Sequence, residues 1–228
     1  MIEKMSDFFT ARVDGYDIHM LNNVVGCKEA YIKMVELLPR TASYLLDLGC
    51  GTGLELDEIF KTYPSINVIG VDLTKAMLDV LKQKHPDKDL ALIHASYFDY
   101  DFGLERFDVI ISFQTMHHYS HEQKIGLYSR AYSALKLGGR YIECDYMVIE
   151  QKDEDFYIKE NERIRKENNI SDGEFYHYDT PCTIDNQLKM LRIAKFEKVD
   201  MVWRKENTTI VVADKANRYE QFGDGKSF

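Results

Sequence analysis

The chain reads as an α/β protein, a three-layer α/β/α sandwich around a seven-stranded, mostly parallel sheet, and three observations carry that reading. Short apolar runs at 44–48, 67–73, 89–95 and 107–113 alternate with stretches of helical period, the order of elements that builds a parallel sheet covered by helices on both faces. The run Tyr44-Leu45-Leu46-Asp47-Leu48 passes directly into Gly49-Cys50-Gly51-Thr52-Gly53 and a helix start at Leu54-Glu55-Leu56. That is a buried strand, a tight turn and a helix N-terminus. Near the C-terminus, 199–205 and 208–213 alternate apolar and polar residues about Glu206-Asn207, a closing hairpin that adds one antiparallel strand.

Bulk properties narrow the function. A length of 228 residues suits a single domain over 1–228 with decorations, and 45% hydrophobic content supplies a full core. The formal charge of −9 and a pI near 5.3 argue against a nucleic-acid backbone as main partner. Cys27, Cys50, Cys144 and Cys182 have neither CxxC spacing nor a paired-histidine pattern for zinc. Without a signal peptide or an apolar run near ~18 residues, the expected setting is the reducing cytoplasm, away from membranes.

Taken in order, residues 1–26 precede any strand and form an N-terminal cap over the site, with Ser6 or Asp7 capping a helix that Gly15 breaks. Residues 27–38 form a helix ending at Pro39. In the turn that follows, three alternate glycines let the backbone bend sharply and open space for a ligand, and the next helix directs its free N–H groups there. Asp47, at the strand end, would repel a pyrophosphate but accept from a ligand ammonium. Strand 67–73 ends in Asp72, 19 residues after Gly53. At about that interval a strand-end carboxylate takes ribose hydroxyls in dinucleotide sites; capping the helix at Thr74-Lys75-Ala76-Met77 is a compatible second duty.

Strand 89–95 leads into Ser96-Tyr97-Phe98-Asp99, and strand 107–113 into Gln114-Thr115-Met116-His117-His118-Tyr119. Residues just past carboxyl strand ends line the ligand crevice of doubly wound sheets. An amphipathic helix spans 121–137, and Gly138-Gly139 turns it into strand 141–146, whose Asp145 and Tyr146 face the same cleft. Residues 150–181, a charged helix followed by an aromatic loop, form a lid and acceptor-binding insertion, with Phe156, Tyr157, Tyr176 and Tyr178 as contacts. Thr183 caps a helix running to Phe196, and the tail 223–228 frays.

Asp47-Leu48-Gly49-Cys50-Gly51-Thr52-Gly53 resembles the first motif of class I S-adenosylmethionine-dependent methyltransferases. The strand followed by His117-His118 and the Gly-Gly turn before the next strand are similar to features of their small-molecule members, and the resemblance covers roughly 40–215. It implies a Rossmann-like fold of strand order 3-2-1-4-5-7-6 and S-adenosylmethionine as cofactor, released as S-adenosylhomocysteine. The cofactor contacts it implies are Asp47, Gly49, Cys50, Gly51, Gly53, Asp72, Leu73, Met77, Ser96, Tyr97, Phe113, Gln114, His118 and Tyr16. Ala95 stands where an acid often reads the adenine amino group, which leaves Ser96, the backbone or Tyr97 to do so. Lys195 replaces the usual glycine before Phe196.

The implied activity is in-line methyl transfer to a small-molecule acceptor, with His117, Asp145 or Tyr16 as base where the acceptor needs one. A non-catalytic S-adenosylmethionine-binding module and a tRNA or protein methyltransferase are the alternatives; an oxidoreductase is disfavoured by Asp47 and the short glycine spacing. His117, His118 and His121 lack a carboxylate at helpful spacing, so no metal is expected. A homodimer is left open.

Overall fold

Leu45, Leu46 and Leu48 are wholly buried because their strand lies at the centre of the sheet. The structure, a computed structural model, describes residues 2–171 and 173–217. Strand β1 (Tyr44–Leu48) pairs in parallel with β2 (Asn67–Asp72) on one side and β4 (Phe107–Phe113) on the other. With β3 (Leu90–His94), β5 (Leu135–Tyr146), β6 (Lys198–Lys205) and β7 (Thr208–Asp214), the sheet order is β3-β2-β1-β4-β5-β7-β6. Only β7 runs against its neighbours. Fold, strand order and closing hairpin are those expected from the sequence.

Side chains alternate across the sheet and feed two cores. Leu46, Leu48 and Ile110 join one; Leu45, Val109, Ile111 and Phe113 join the other. The second core is closed by α3 (Cys27–Leu37) and α4 (Leu54–Thr62), the first by α6 (His121–Ala134) and α8 (Ile184–Ile193). Each buried leucine contributes about 1.5–3 kcal/mol by leaving water, so the strand that carries Asp47 to the site is firmly held at the centre of the sheet. The Thr183 hydroxyl accepts from Asn186 N at 3.3 Å and caps α8 as expected. Among the described residues no helix is long and apolar enough to cross a membrane.

Three local expectations are corrected. Gly15 does not break a helix: α1 (Met5–Thr10) ends before Ala11, and α2 (Val13–Asn22) runs through Gly15. A helical glycine costs only about 1 kcal/mol, and a Cβ there would meet nothing within 4 Å. Neither Ser6 nor Asp7 caps α1, which starts after Lys4 without a side-chain cap. Its entry is held instead by Met5 N donating to Phe175 O and His177 N donating to Glu3 O, both at 3.0 Å. Finally, 138–139 is no turn between helix and strand. Helix α6 passes into β5 at Leu135, and the glycines sit inside β5 opposite a register shift between Phe107 and Val109. Gly138 takes φ +74° there, because a bulge needs the left-handed region. The 223–228 tail lies outside the described residues.

Candidate active site

The cofactor end is assembled almost entirely by backbone. Gly51 and Gly53 take φ of +48° and +76°. A Cβ on Gly53 would come within 2.3 Å of Leu81 Cδ1, whereas one on Gly51 would meet nothing nearer than the Tyr16 ring at 4.0 Å. Both positions call for glycine because of their left-handed backbone; Gly53 is in addition closed in by Leu81, whereas space is open above Gly51. Asp72 braces the turn: its Oδ2 accepts from Gly51 N at 2.9 Å and its Oδ1 from Thr74 N at 2.7 Å. Each oxygen keeps a lone pair for a further hydroxyl donor.

Asp47 is fully buried, and among the described residues no N–H or hydroxyl donor reaches its carboxylate, which faces the Glu55 carboxyl. Burial, then the neighbouring Glu55, pushes it well above the ordinary carboxylate range, and burial lifts Glu55 to about 7. An unpartnered buried carboxylate is costly unless something cationic meets it. A ligand ammonium above the turn is such a group, so the orphaned acid and the open face of Gly51 both fit S-adenosylmethionine. Helix α2 is clamped over this turn, since Asp17 accepts from the Thr52 hydroxyl and from Lys84 Nζ at 3.2 Å, and Lys84 also reaches Thr52 O at 3.1 Å. That clamp puts Tyr16 over Gly51, where burial raises its phenol well above its usual range.

Other residues expected at the cofactor divide. Gln114, at φ +50°, lines the main cavity together with His118 and Tyr16. Met77 is buried, and Leu73 packs half-buried on the first core. The Ser96 hydroxyl accepts from Phe98 N at 3.2 Å. Three expected side chains turn into the core instead. Phe113 stacks on Tyr31 at 4.0 Å between ring centroids. Tyr97 bonds Thr115 Oγ1 at 2.9 Å and packs on Tyr119. The buried Cys50 side chain lies against Gly70, leaving only its backbone for the turn.

Beside the glycine turn lies a cavity of about 1080 Å³, lined by Phe8, Phe9 and Arg12 of the first helix region and by His117, His118, Tyr146, His177 and Asp179. His117 and His118 sit in a single 3₁₀ turn (Met116–His118) after β4. His117 Nδ1 bonds the buried Asp145, which orients the ring, and its Nε2 lies 3.5 Å from Asp179 Oδ1. Its main-chain carbonyl accepts from Thr180 N at 2.6 Å and Thr180 Oγ1 at 2.9 Å. Burial opposes protonation of His117, but Asp145 and then Asp179 overcome it and raise the ring to about 10. The two carboxylates thus favour the protonated ring, and Asp145 fixes its orientation. Burial and the His117 charge push His118 down.

Asp179 and His177 are the residues that sequence reasoning missed. It named the 173–181 loop for Tyr176 and Tyr178, yet the residues lining the cavity are the alternate ones, His177 and Asp179. Period 2 in an extended segment was the available signal. His121 does not join the other histidines: its Nε2 meets Glu154 Oε1 at 2.7 Å, and the carboxylate beside His117 and His118 comes from Asp179.

Residues 45–139 match a family of methyltransferase domains. Over 94% of the chain, the sequence is 23% identical to carboxy-S-adenosyl-L-methionine synthase of Nautilia profundicola, covering 96% of that protein. The fold matches a Burkholderia thailandensis 1,6-didemethyltoxoflavin-N1-methyltransferase holding its acceptor and S-adenosylhomocysteine, with TM-score 0.64, 20% identity, and coverage of 93% of this chain and 87% of that one. It also matches human N-acetylserotonin methyltransferase with S-adenosylmethionine, at TM-score 0.63 and 15% identity over 92% of this chain, though the chain spans only 55% of that enzyme. The matched domain over residues 45–139, the glycine turn with the buried Asp47 beneath it, and the sheet order all agree with a class I S-adenosylmethionine-dependent methyltransferase.

Proposed function

We propose that the protein methylates a small-molecule acceptor held in the cavity between the N-terminal helices and the His117 turn. The observation that carries this reading is the shape of that space. It runs from Tyr16 and Gln114, beside the glycine turn, to His117, His177 and Asp179, and residues of the chain's own first helices line it. A cavity of about 1080 Å³ suits a small molecule rather than a macromolecular strand, and the net charge of −9 disfavours RNA. Residues 1–26 act as the cap and 150–181 as the lid; the Tyr146–Tyr157 hydroxyl pair, 3.1 Å apart, ties α7 (Gln151–Glu167) to the sheet end. The four buried free cysteines accord with a reducing cytoplasm.

Bound S-adenosylmethionine supplies a sulfonium methyl and a neutral leaving thioether, so the chain's main task is to align an acceptor and exclude water. Asp47 takes the ammonium, Asp72 the ribose hydroxyls, and Tyr16 closes over the turn. At the acceptor end, Asp145 fixes the His117 ring, whose Nε2–H donates to a lone pair of the acceptor.

Incubating the chain with labelled S-adenosylmethionine and a metabolite extract should place label in a low-mass product. Label in RNA or protein alone would overturn the reading. The full-length match to carboxy-S-adenosyl-L-methionine synthase favours one second reading, a reaction that alters the cofactor itself. It predicts a sulfonium product of changed mass and no methylated acceptor.

A further inference from the structure

The geometry points to a divalent transition-metal site at the acceptor end, formed by His117 Nε2, His118 Nδ1 and Asp179 Oδ1. These three atoms lie within 4.8 Å of one another, and Asp179 Oδ1 is 3.5 Å from each of the two ring nitrogens. Ligands about 2.1 Å from a common tetrahedral centre sit about 3.4 Å apart. Two edges of the triangle already have that length, and a small turn of one imidazole closes the third.

Three further features separate this cluster from an ordinary ion-paired patch. Asp179 Oδ1 is buried and accepts no hydrogen bond from the protein, although three imidazoles lie within 4.0 Å of it. His117 has its other nitrogen bonded to the buried Asp145. That is the carboxylate–histidine arrangement that fixes the tautomer and ring orientation of a metal ligand. The cluster also borders the cavity: Phe8 stacks on His177 with ring centroids 3.5 Å apart, and His117, His118, His177 and Asp179 all line that space. Two imidazoles and one carboxylate form the donor set used for zinc and for non-haem iron, with remaining positions free for a ligand. His118 Nδ1 donates to the Tyr178 carbonyl oxygen at 3.2 Å, so ligation exchanges that hydrogen bond for the metal and places the ring proton on Nε2.

The free coordination position would face the cavity, which selects acceptors that offer an oxygen or thiol to a cation. This acceptor class rests on the function proposed above; the metal site does not. Metal binding releases the Nε2 proton of His117 to solvent, and the ring then orients the acceptor through the cation rather than through its own N–H.

The test uses the whole chain stripped of metal, with Co²⁺ as spectroscopic probe and Zn²⁺ and anaerobic Fe²⁺ as competitors. One equivalent of Co²⁺ should bind with the visible spectrum of a low-coordinate nitrogen and oxygen site, and the better competitor identifies the cation. Asp145→Asn should weaken binding about 10- to 100-fold, and His118→Ala or Asp179→Ala should weaken it further. X-ray absorption of the zinc-loaded, unmutated chain should show imidazole scattering with nitrogen or oxygen at about 2.0–2.2 Å. No saturable binding, thiolate ligands at about 2.3 Å, or affinity unchanged in both His118→Ala and Asp179→Ala would overturn the site. S-adenosylhomocysteine affinity measured on the same preparations shows that each variant is folded. A chain that binds metal but methylates no small molecule would overturn the acceptor reading alone.

Discussion

The two ends of the active-site region are built in opposite ways. The cofactor end uses residues nearly adjacent in the chain, 47–53 and 72, and much of its work falls to backbone N–H groups and missing Cβ atoms. The acceptor end uses side chains from four distant segments: Phe8 to Tyr16, His117 and His118, Asp145 and Tyr146, and His177 and Asp179. The first is anchored by a wholly buried central strand. The second joins two N-terminal helices, a 3₁₀ turn, the end of β5 and a loop through contacts such as Phe8 over His177. One end is thus suited to a constant ligand and the other to a changeable one.

The largest effect that can break this contrast lies at the glycines. Gly51→Ala puts a side chain at φ +48°, a strain of about 1–2 kcal/mol, but its Cβ enters open space, so the unfolding temperature should fall less than in Gly53→Ala. It should nonetheless weaken S-adenosylhomocysteine binding at least about 100-fold, roughly 2.7 kcal/mol. Gly53→Ala, whose Cβ would collide with Leu81, should lower stability and affinity together. Equal unfolding of both variants would mean that Gly51 is a packing residue too. At the other end, His177→Ala should cut kcat/KM for the acceptor at least about tenfold, roughly 1.4 kcal/mol. Cofactor affinity within twofold of the parent would keep the ends separate; a parallel loss would join them.

The acid pair sharpens the comparison through pH. Burial raises Asp47 and lifts Glu55 to about 7, so the folded protein holds more protons than the unfolded chain above pH 4.5. Stability from these groups is therefore fully present below about pH 4.5 and is lost as pH rises through 7. For Glu55 the loss is of the order of 3 kcal/mol. Urea unfolding at pH 5 and pH 8, in parent and Glu55→Gln, measures it; the variant should show a shallower decline. The smallest expected effect is at the lid. Tyr146→Phe removes one hydroxyl pair to Tyr157 and should cost about 0.5–1.5 kcal/mol, measured by denaturant midpoint.

The same contrast explains what was legible in the sequence. The closing hairpin and the glycine turn between Asp47 and the next helix follow from local pattern and a contiguous motif, because backbone chemistry is written where it acts, while the strand order came through the resemblance which that motif carries. Gly15 misled because an unpacked helix face tolerates a glycine, and 138–139 misled because a Gly-Gly pair inside a bulged strand resembles a loop. Phe113 and Tyr97 were assigned to the cofactor by position, but their side chains alternate or pack into the core. The grouping of His117 with His118 was readable. Their partner Asp179 was not, since only tertiary folding brings the 173–181 loop across the β4 end.

The most direct test of two separable ends is calorimetric titration of S-adenosylhomocysteine into Asp47→Asn and Asp179→Ala, side by side with the parent. The account predicts a loss of about tenfold or more, at least 1.4 kcal/mol, for Asp47→Asn, and an affinity within twofold of the parent for Asp179→Ala. Unchanged binding in Asp47→Asn, or an equal loss in both variants, would contradict it.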